Sequence, residues 1–199
     1  MVIIGVTGGI GCGKSYVSAK MQLRGIPVYD SDSRAKLITA TNPFVKRDLA
    51  ELVGPALYCS CCGQFQKEVL AEFIFSDSEN MAKVNAVIHP RVRDDFRQWA
   101  DKYRSKDFCI MESAILFESG FDSEVDFKVC VDAPLELRIQ RCMKRDNTTR
   151  EVVLERIKNQ MGQDEKCGRA DFVIVNDDVH ALEPQIDELF EKCKKTLNK

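Results

Sequence analysis

The chain has 199 residues, 44% hydrophobic and 30% charged, with a formal net charge of −2. That suits one compact α/β domain with an insertion or two, and the near-neutral charge offers no basic surface for nucleic acid or for a membrane. The opening MVIIGV is apolar but runs straight into glycines with no basic segment ahead of it, so it does not read as a signal peptide; nor does any window approach the roughly 20 apolar residues of a membrane span.

In chain order, residues 2–6 are a short β-branched run followed by glycines, which predicts a buried parallel strand. Residues 14–24 predict a helix, with Val17 and Met21 one turn apart and Gly25 as its C-terminal glycine. Residues 26–29 predict a second strand ending at Asp30, completing a strand–glycine loop–helix–strand unit. Residues 33–104 read as a mostly helical insertion, with Val92, Phe96, Trp99 and Tyr103 on one stripe and Pro90 at a first helical position. Within it lie Cys59, Cys61 and Cys62. Neither His89 nor His180 completes a zinc spacing with them, so the segment reads as a reduced turn. The nine cysteines, an odd number with no export signal, read as thiols in a reducing cytoplasm. Strand signals return at 108–111 and 127–131, and Pro134 opens a helix with Leu135, Ile139 and Cys142 on one side. Thr148-x-x-Glu151 resembles a capping box for a helix whose inner face is Val153, Ile157 and Met161. Residues 172–175 predict the last strand, and Leu182, Ile186, Leu189, Phe190, Cys193 and Leu197 a closing amphipathic helix.

The strongest chemical signal is Gly8-Gly9-Ile10-Gly11-Cys12-Gly13-Lys14-Ser15, a full G-x-x-x-x-G-K-[ST] match placed between a strand and a helix. Such a loop turns backbone amides toward a phosphate at a helix N-terminus. In that chemistry Lys14 reaches the β- and γ-phosphates of ATP and the Ser15 hydroxyl holds Mg²⁺. Asp30 and Asp32 follow the second strand; one of them orients or deprotonates an attacking hydroxyl, or both simply cap the next helix. Glu112 ends the third strand, where a carboxylate holds magnesium directly or through water, or is a solvated strand end. Arg138, Arg141 and Arg145 share a helix face, with Arg150 just beyond. They are either a lid that closes over a polyphosphate or a solvated face paired with Glu136 and Asp146. A GTPase would need a guanine-reading Asn-Lys-x-Asp segment, which is absent. A small-molecule or nucleotide kinase fits best, ahead of a non-catalytic ATP-binding module.

The ordered segments TGGIGCGKS, VYDSD, IHPRV, ILFE, QRCMKRD and ADFVIVN run from Thr7 to Asn176 and resemble the motifs of the dephospho-coenzyme A kinase family. The resemblance implies a three-layer α/β parallel-sheet P-loop kinase core at 1–32, 105–134 and 168–199. It further implies a helical acceptor domain at 33–104 and a lid at 135–167. The implied reaction moves the ATP γ-phosphoryl group to the ribose 3′-hydroxyl of dephospho-CoA, in a cytoplasmic monomer or weak homo-oligomer. It implies Asp32 as base, Arg141 and Arg145 in the lid, and His89 and Arg91 beside the acceptor. Leu116, Phe117 and Glu118 would line the site, and Asn176 would lie near the adenine. The chain departs from the family pattern at Tyr16, where threonine is usual, at Glu112-Ser113-Ala114-Ile115 in place of Asp-x-Pro-Leu, and at Gln66-Lys67 in place of an Asp/Asn-Arg pair.

Overall fold

A computed structural model describes the backbone of residues 1–197 and the side chains of residues 1–195, so the side chain of Leu197 lies outside the described residues. The strands are β1 (Val2–Thr7), β2 (Val28–Asp30), β3 (Phe108–Glu112), β4 (Phe127–Asp132) and β5 (Phe172–Val175). They form one all-parallel sheet in the order β2-β3-β1-β4-β5. β1 lies at the centre, and its run of Val and Ile is what a strand covered on both faces requires. Ile4 and Val6 are wholly buried and pack with Val17 and Met21 of α1 (Lys14–Leu23) and with Ile186 and Leu189 of α9 (Leu182–Leu197). Gly5 points to the other face, where a side chain would collide with Leu116 and Val125. Register aligns the chemistry: Val6 and Asp30 both pair with Glu112, and Thr7 pairs with Cys130, so these carboxyl ends share one sheet edge.

Two compact units divide the chain, one of Met1–Asp30 with Ala100–Lys199 and the other of Ser31–Trp99. Residues 135–167 lie within the first of these units, which carries the sheet. That segment contains α6 (Leu135–Asp146), α7 (Arg150–Lys158) and α8 (Gln163–Arg169). Ile139, Cys142 and Val153 make a small core between α6 and α7.

The second unit holds α2 (Ser31–Thr41), α3 (Pro43–Val53), α4 (Lys67–Ser76) and most of α5 (Asn80–Asp101). The Asn42 side chain caps α3 by accepting from the amides of Phe44 and Val45 at 3.0 and 3.1 Å, with Pro43 in the first helical position. Leu49 and Leu57 are wholly buried.

Four expectations change. Pro90 does not begin a helix; it sits inside α5, which starts ten residues earlier at Asn80. An internal proline costs roughly 3 kcal/mol. Here it is exposed, and the helix is carried through it by the buried stripe of Val84, Val92 and Phe96. Tyr103 lies beyond that helix, in a turn bonded back to the Ala100 carbonyl. The cap of α7 is Thr149 rather than Thr148, and its side chain makes no bond to the helix amides. Met161 lies past the end of α7, in the connection to α8, a helix with no apolar periodicity to announce it.

Ile4→Ala is expected to cost about 2–5 kcal/mol in urea denaturation, because the helix-covered central strand relaxes only partly into the cavity. Val152→Ala, at an exposed position on α7, is the control and should stay within about 0.5 kcal/mol.

Candidate active site

The loop between β1 and α1 depends on glycine at two positions above all. Gly11 (φ 83°) and Gly13 (φ 88°) are in the left-handed region. A Cβ on Gly11 would stand 2.4 Å from the Arg138 carbonyl oxygen, and one on Gly13 would stand 2.2 Å from Asn176 Nδ2. With these turns in place, the loop amides divide into two sets. Gly9 N–H donates to Gln163 Oε1 at 2.8 Å, Ile10 N–H to Gln160 Oε1 at 2.9 Å, and Cys12 N–H to the Gly9 carbonyl at 3.3 Å. Among the described residues, the amides of Gly11, Gly13 and Ser15 meet no protein acceptor. Gly13 is the N-cap of α1, so the helix has no side-chain cap, and its first turn holds no acidic residue. Its N-terminal partial charge is therefore left for an anion. The Lys14 ammonium lies across the same loop, donating to the Gly8 carbonyl at 2.9 Å.

Ser15 Oγ donates to Glu112 Oε1 at 2.6 Å. Glu112 is 8% exposed and faces Asp30 in register. A hydroxyl and a carboxylate in contact are hard oxygen donors of the kind magnesium takes, so this pair fits that ion.

The four arginines do not form one stripe of free cations. Arg138, 5% exposed, donates from Nε to the Ile10 carbonyl at 3.0 Å and so braces the loop. Arg141 donates to the Asn176 carbonyl at 3.0 Å and to Asp178 at 2.6 Å. Arg145 pairs with Asp146 at 2.7 Å, and Arg150 with Glu136 at 2.6 Å. Asn176 is buried and its Nδ2 donates to the Cys12 carbonyl at 2.7 Å, which pins the turn at Gly13. The Cys12 thiol is raised by burial, only partly offset by the Arg138 and Lys14 cations, so at neutral pH it is a packing group.

Three other expected residues lie in the unit of 31–99. Asp32 is exposed, in the first turn of α2, two residues past the end of β2. His89 is half-buried; burial lowers its pKa and Arg93 adds to the effect, so its imidazole is neutral at pH 7. The Arg91 guanidinium lies over the Phe44 ring at 5.5 Å.

Against known proteins, residues 2–181 match the CoaE dephospho-CoA kinase family model. The chain belongs to the dephospho-CoA kinase family. It is 48% identical over 186 residues to the dephospho-CoA kinase of Bacteroides fragilis (strain YCH46), covering 94% of this chain and 90% of that one. The crystal structure of TT1252 from Thermus thermophilus superposes with a TM-score of 0.82 at 33% identity, over 98% of this chain and 97% of the other. A dephospho-CoA kinase from Campylobacter jejuni, at 22% identity and TM-score 0.65 over 98% of this chain and 95% of the other, shares the fold.

In this member of the dephospho-CoA kinase family, three site-building residues carry no motif and escape a sequence reading. Gln160 and Gln163 hold the front of the loop, and the Gln163 amide also donates to the Val131 carbonyl at 3.0 Å and to Asp132 at 2.9 Å. Lys166 has no exposed surface; its ammonium donates to the Ala114 carbonyl at 2.6 Å and pairs with Glu118 at 2.7 Å. This ties α8 to the segment that leaves Glu112. Leu116 is wholly buried and Phe117 nearly so, with the Arg169 guanidinium 4.4 Å from the Phe117 ring centre. Both hold that segment in place. No sequence spacing marks any of the three, because the burial of Lys166 and the long-range bonds of Gln160 and Gln163 are set by the fold.

Gly13→Ala is expected to weaken ATP affinity at least tenfold in a nucleotide titration with the circular dichroism spectrum unchanged, because the methyl group displaces Asn176 from Cys12. Lys166→Met should cost about 1–3 kcal/mol in chemical denaturation, since it leaves the Ala114 carbonyl without its donor while solvent takes over the exposed Glu118.

Proposed function

We propose that the chain transfers the γ-phosphoryl group of ATP to the ribose 3′-hydroxyl of dephospho-CoA, giving CoA and ADP, the last step of coenzyme A biosynthesis. The observation that carries this is the set of unclaimed amides at Gly11, Gly13 and Ser15, in a chain whose family match spans residues 2–181. The amides and Lys14 take the β- and γ-phosphates. Ser15 and Glu112 would hold Mg²⁺, which when bound offsets the charge of the phosphates.

Asp32 orients the 3′-hydroxyl and takes its proton. The hydroxyl oxygen bonds to the γ-phosphorus as the bond to the β,γ-bridging oxygen breaks, and ADP leaves. Phosphoryl transfer of this kind needs little covalent help from the protein; positioning and charge stabilisation supply most of the rate. Arg141 and Arg145 meet that need. The partner of Arg145 here, Asp146, also accepts from Arg156 at 2.8 Å. These pairs are solvent-screened, so Arg145 can exchange Asp146 for a phosphate at small cost. His89 and Arg91 contact the acceptor, and Asn176, besides pinning Cys12, borders the adenine. A cytoplasmic monomer or weak homo-oligomer goes with this reading; among the described residues no helix is long and apolar enough to cross a membrane.

Incubation with ATP, Mg²⁺ and dephospho-CoA should yield an acceptor heavier by one phosphate in mass analysis. Shikimate and nucleoside monophosphates should remain unmodified. An inert dephospho-CoA beside a phosphorylated alternative acceptor sinks the substrate assignment. Asp32→Ala is expected to lower turnover by at least ~10²-fold while ATP still binds; near-normal turnover removes Asp32 from the mechanism.

A further inference from the structure

The unit of residues 31–99 carries a thiol cluster that phosphoryl transfer does not use. Cys59, Cys61 and Cys62 sit on a turn whose ends are fixed by backbone bonds, Cys59 N–H to the Gln64 carbonyl at 2.9 Å and Gly63 N–H to the Cys59 carbonyl at 2.7 Å. Gly63 closes the turn with φ 70°. Tyr58 and Phe65 bridge its base, with ring centres 5.7 Å apart. Lys46 anchors its tip by donating to the Gly63 carbonyl at 3.0 Å. The three side chains thus project from a frame that is already ordered, which lowers the entropy lost when they converge on one point.

They already converge. The three Sγ atoms all lie within 4.8 Å of one another. Thiolates around one metal ion at about 2.3 Å each stand about 3.8 Å apart. The triangle is therefore of the right size, and the 2.9 Å Cys59–Cys61 contact opens by side-chain rotation. Cys61 and Cys62 are exposed, while Cys59 lines an open groove of about 590 Å³ with Pro55, Ala56 and Tyr58, so an ion can reach all three. An all-sulfur donor set rejects magnesium and calcium and selects soft ions.

We propose that Cys59, Cys61 and Cys62 form a three-thiolate site for a soft metal ion, zinc(II) or copper(I), distinct from the Ser15–Glu112 pair. Zinc would keep its fourth position for solvent or a small external ligand, whereas copper(I) is content with three. Each sulfur that binds the ion gives up its proton, because the thiolate is the ligand.

The test uses the whole chain, reduced without a thiol reagent and kept anaerobic. Cobalt(II) should give a thiolate charge-transfer band that one equivalent of zinc removes and excess magnesium does not. Competition against a coloured copper(I) chelator supplies the second arm; the ion bound more tightly than free chelator allows is the one assigned. Cys61→Ser and Cys62→Ser, both at exposed positions, should each weaken binding at least tenfold with circular dichroism unchanged. Cys167→Ser, outside the cluster, should leave binding intact. Absence of stoichiometric binding of either ion by the reduced chain overturns the proposal, as does affinity unchanged in the Cys61→Ser/Cys62→Ser double variant.

Discussion

Everything at the site follows from which backbone amides of the loop 8–15 are satisfied by the protein and which are not. The Gly9 and Ile10 amides are bonded by glutamine side chains, and those of Gly11, Gly13 and Ser15 are left open. An amide turned away from protein acceptors wants an anion or water, and a helix N-terminus adds to that preference. The rest of the unit keeps the division sharp. Arg138 and Asn176 claim the carbonyls of Ile10 and Cys12, so the peptide units that carry them cannot rotate and close the open amides onto the loop itself.

Charge is arranged on the same logic. No carboxylate neutralises the first turn of α1, and the nearest one that the structure bonds there, Glu112, is engaged by Ser15. Cation and anion positions are thereby separated: the amides and Lys14 on one side, the oxygen donors that suit magnesium on the other. Lys166 serves this separation from below. Its buried ammonium, bonded to the Ala114 carbonyl and to the exposed Glu118, holds the chain as it leaves Glu112.

The strands were legible because strands buried on both faces are written as continuous β-branched runs, and residues 172–175 were read to the residue. The glycine loop was legible because its turns admit little else. What escaped was long-range. Pro90 looked like a helix start because local preference ignores the apolar stripe of α5 that spans it. α8 has seven residues, QDEKCGR, with only Lys166 buried, and so presents no periodicity. The arginine stripe was visible as a spacing, but its partners were not. Arg138 turned to a carbonyl 128 positions away, a contact no local pattern encodes.

The distances along the chain have a consequence for assembly. The groups that shape the loop reach it from sequence separations of 128 to 164 residues, through Arg138, Gln160, Gln163 and Asn176. A nascent chain that has emerged only through α1 carries the whole glycine motif and none of its braces. Contacts between residues so far apart in sequence form late, because the loop between them must close first. The braced form of the loop is therefore complete only once the chain has been made through Asn176, at the end of the last strand.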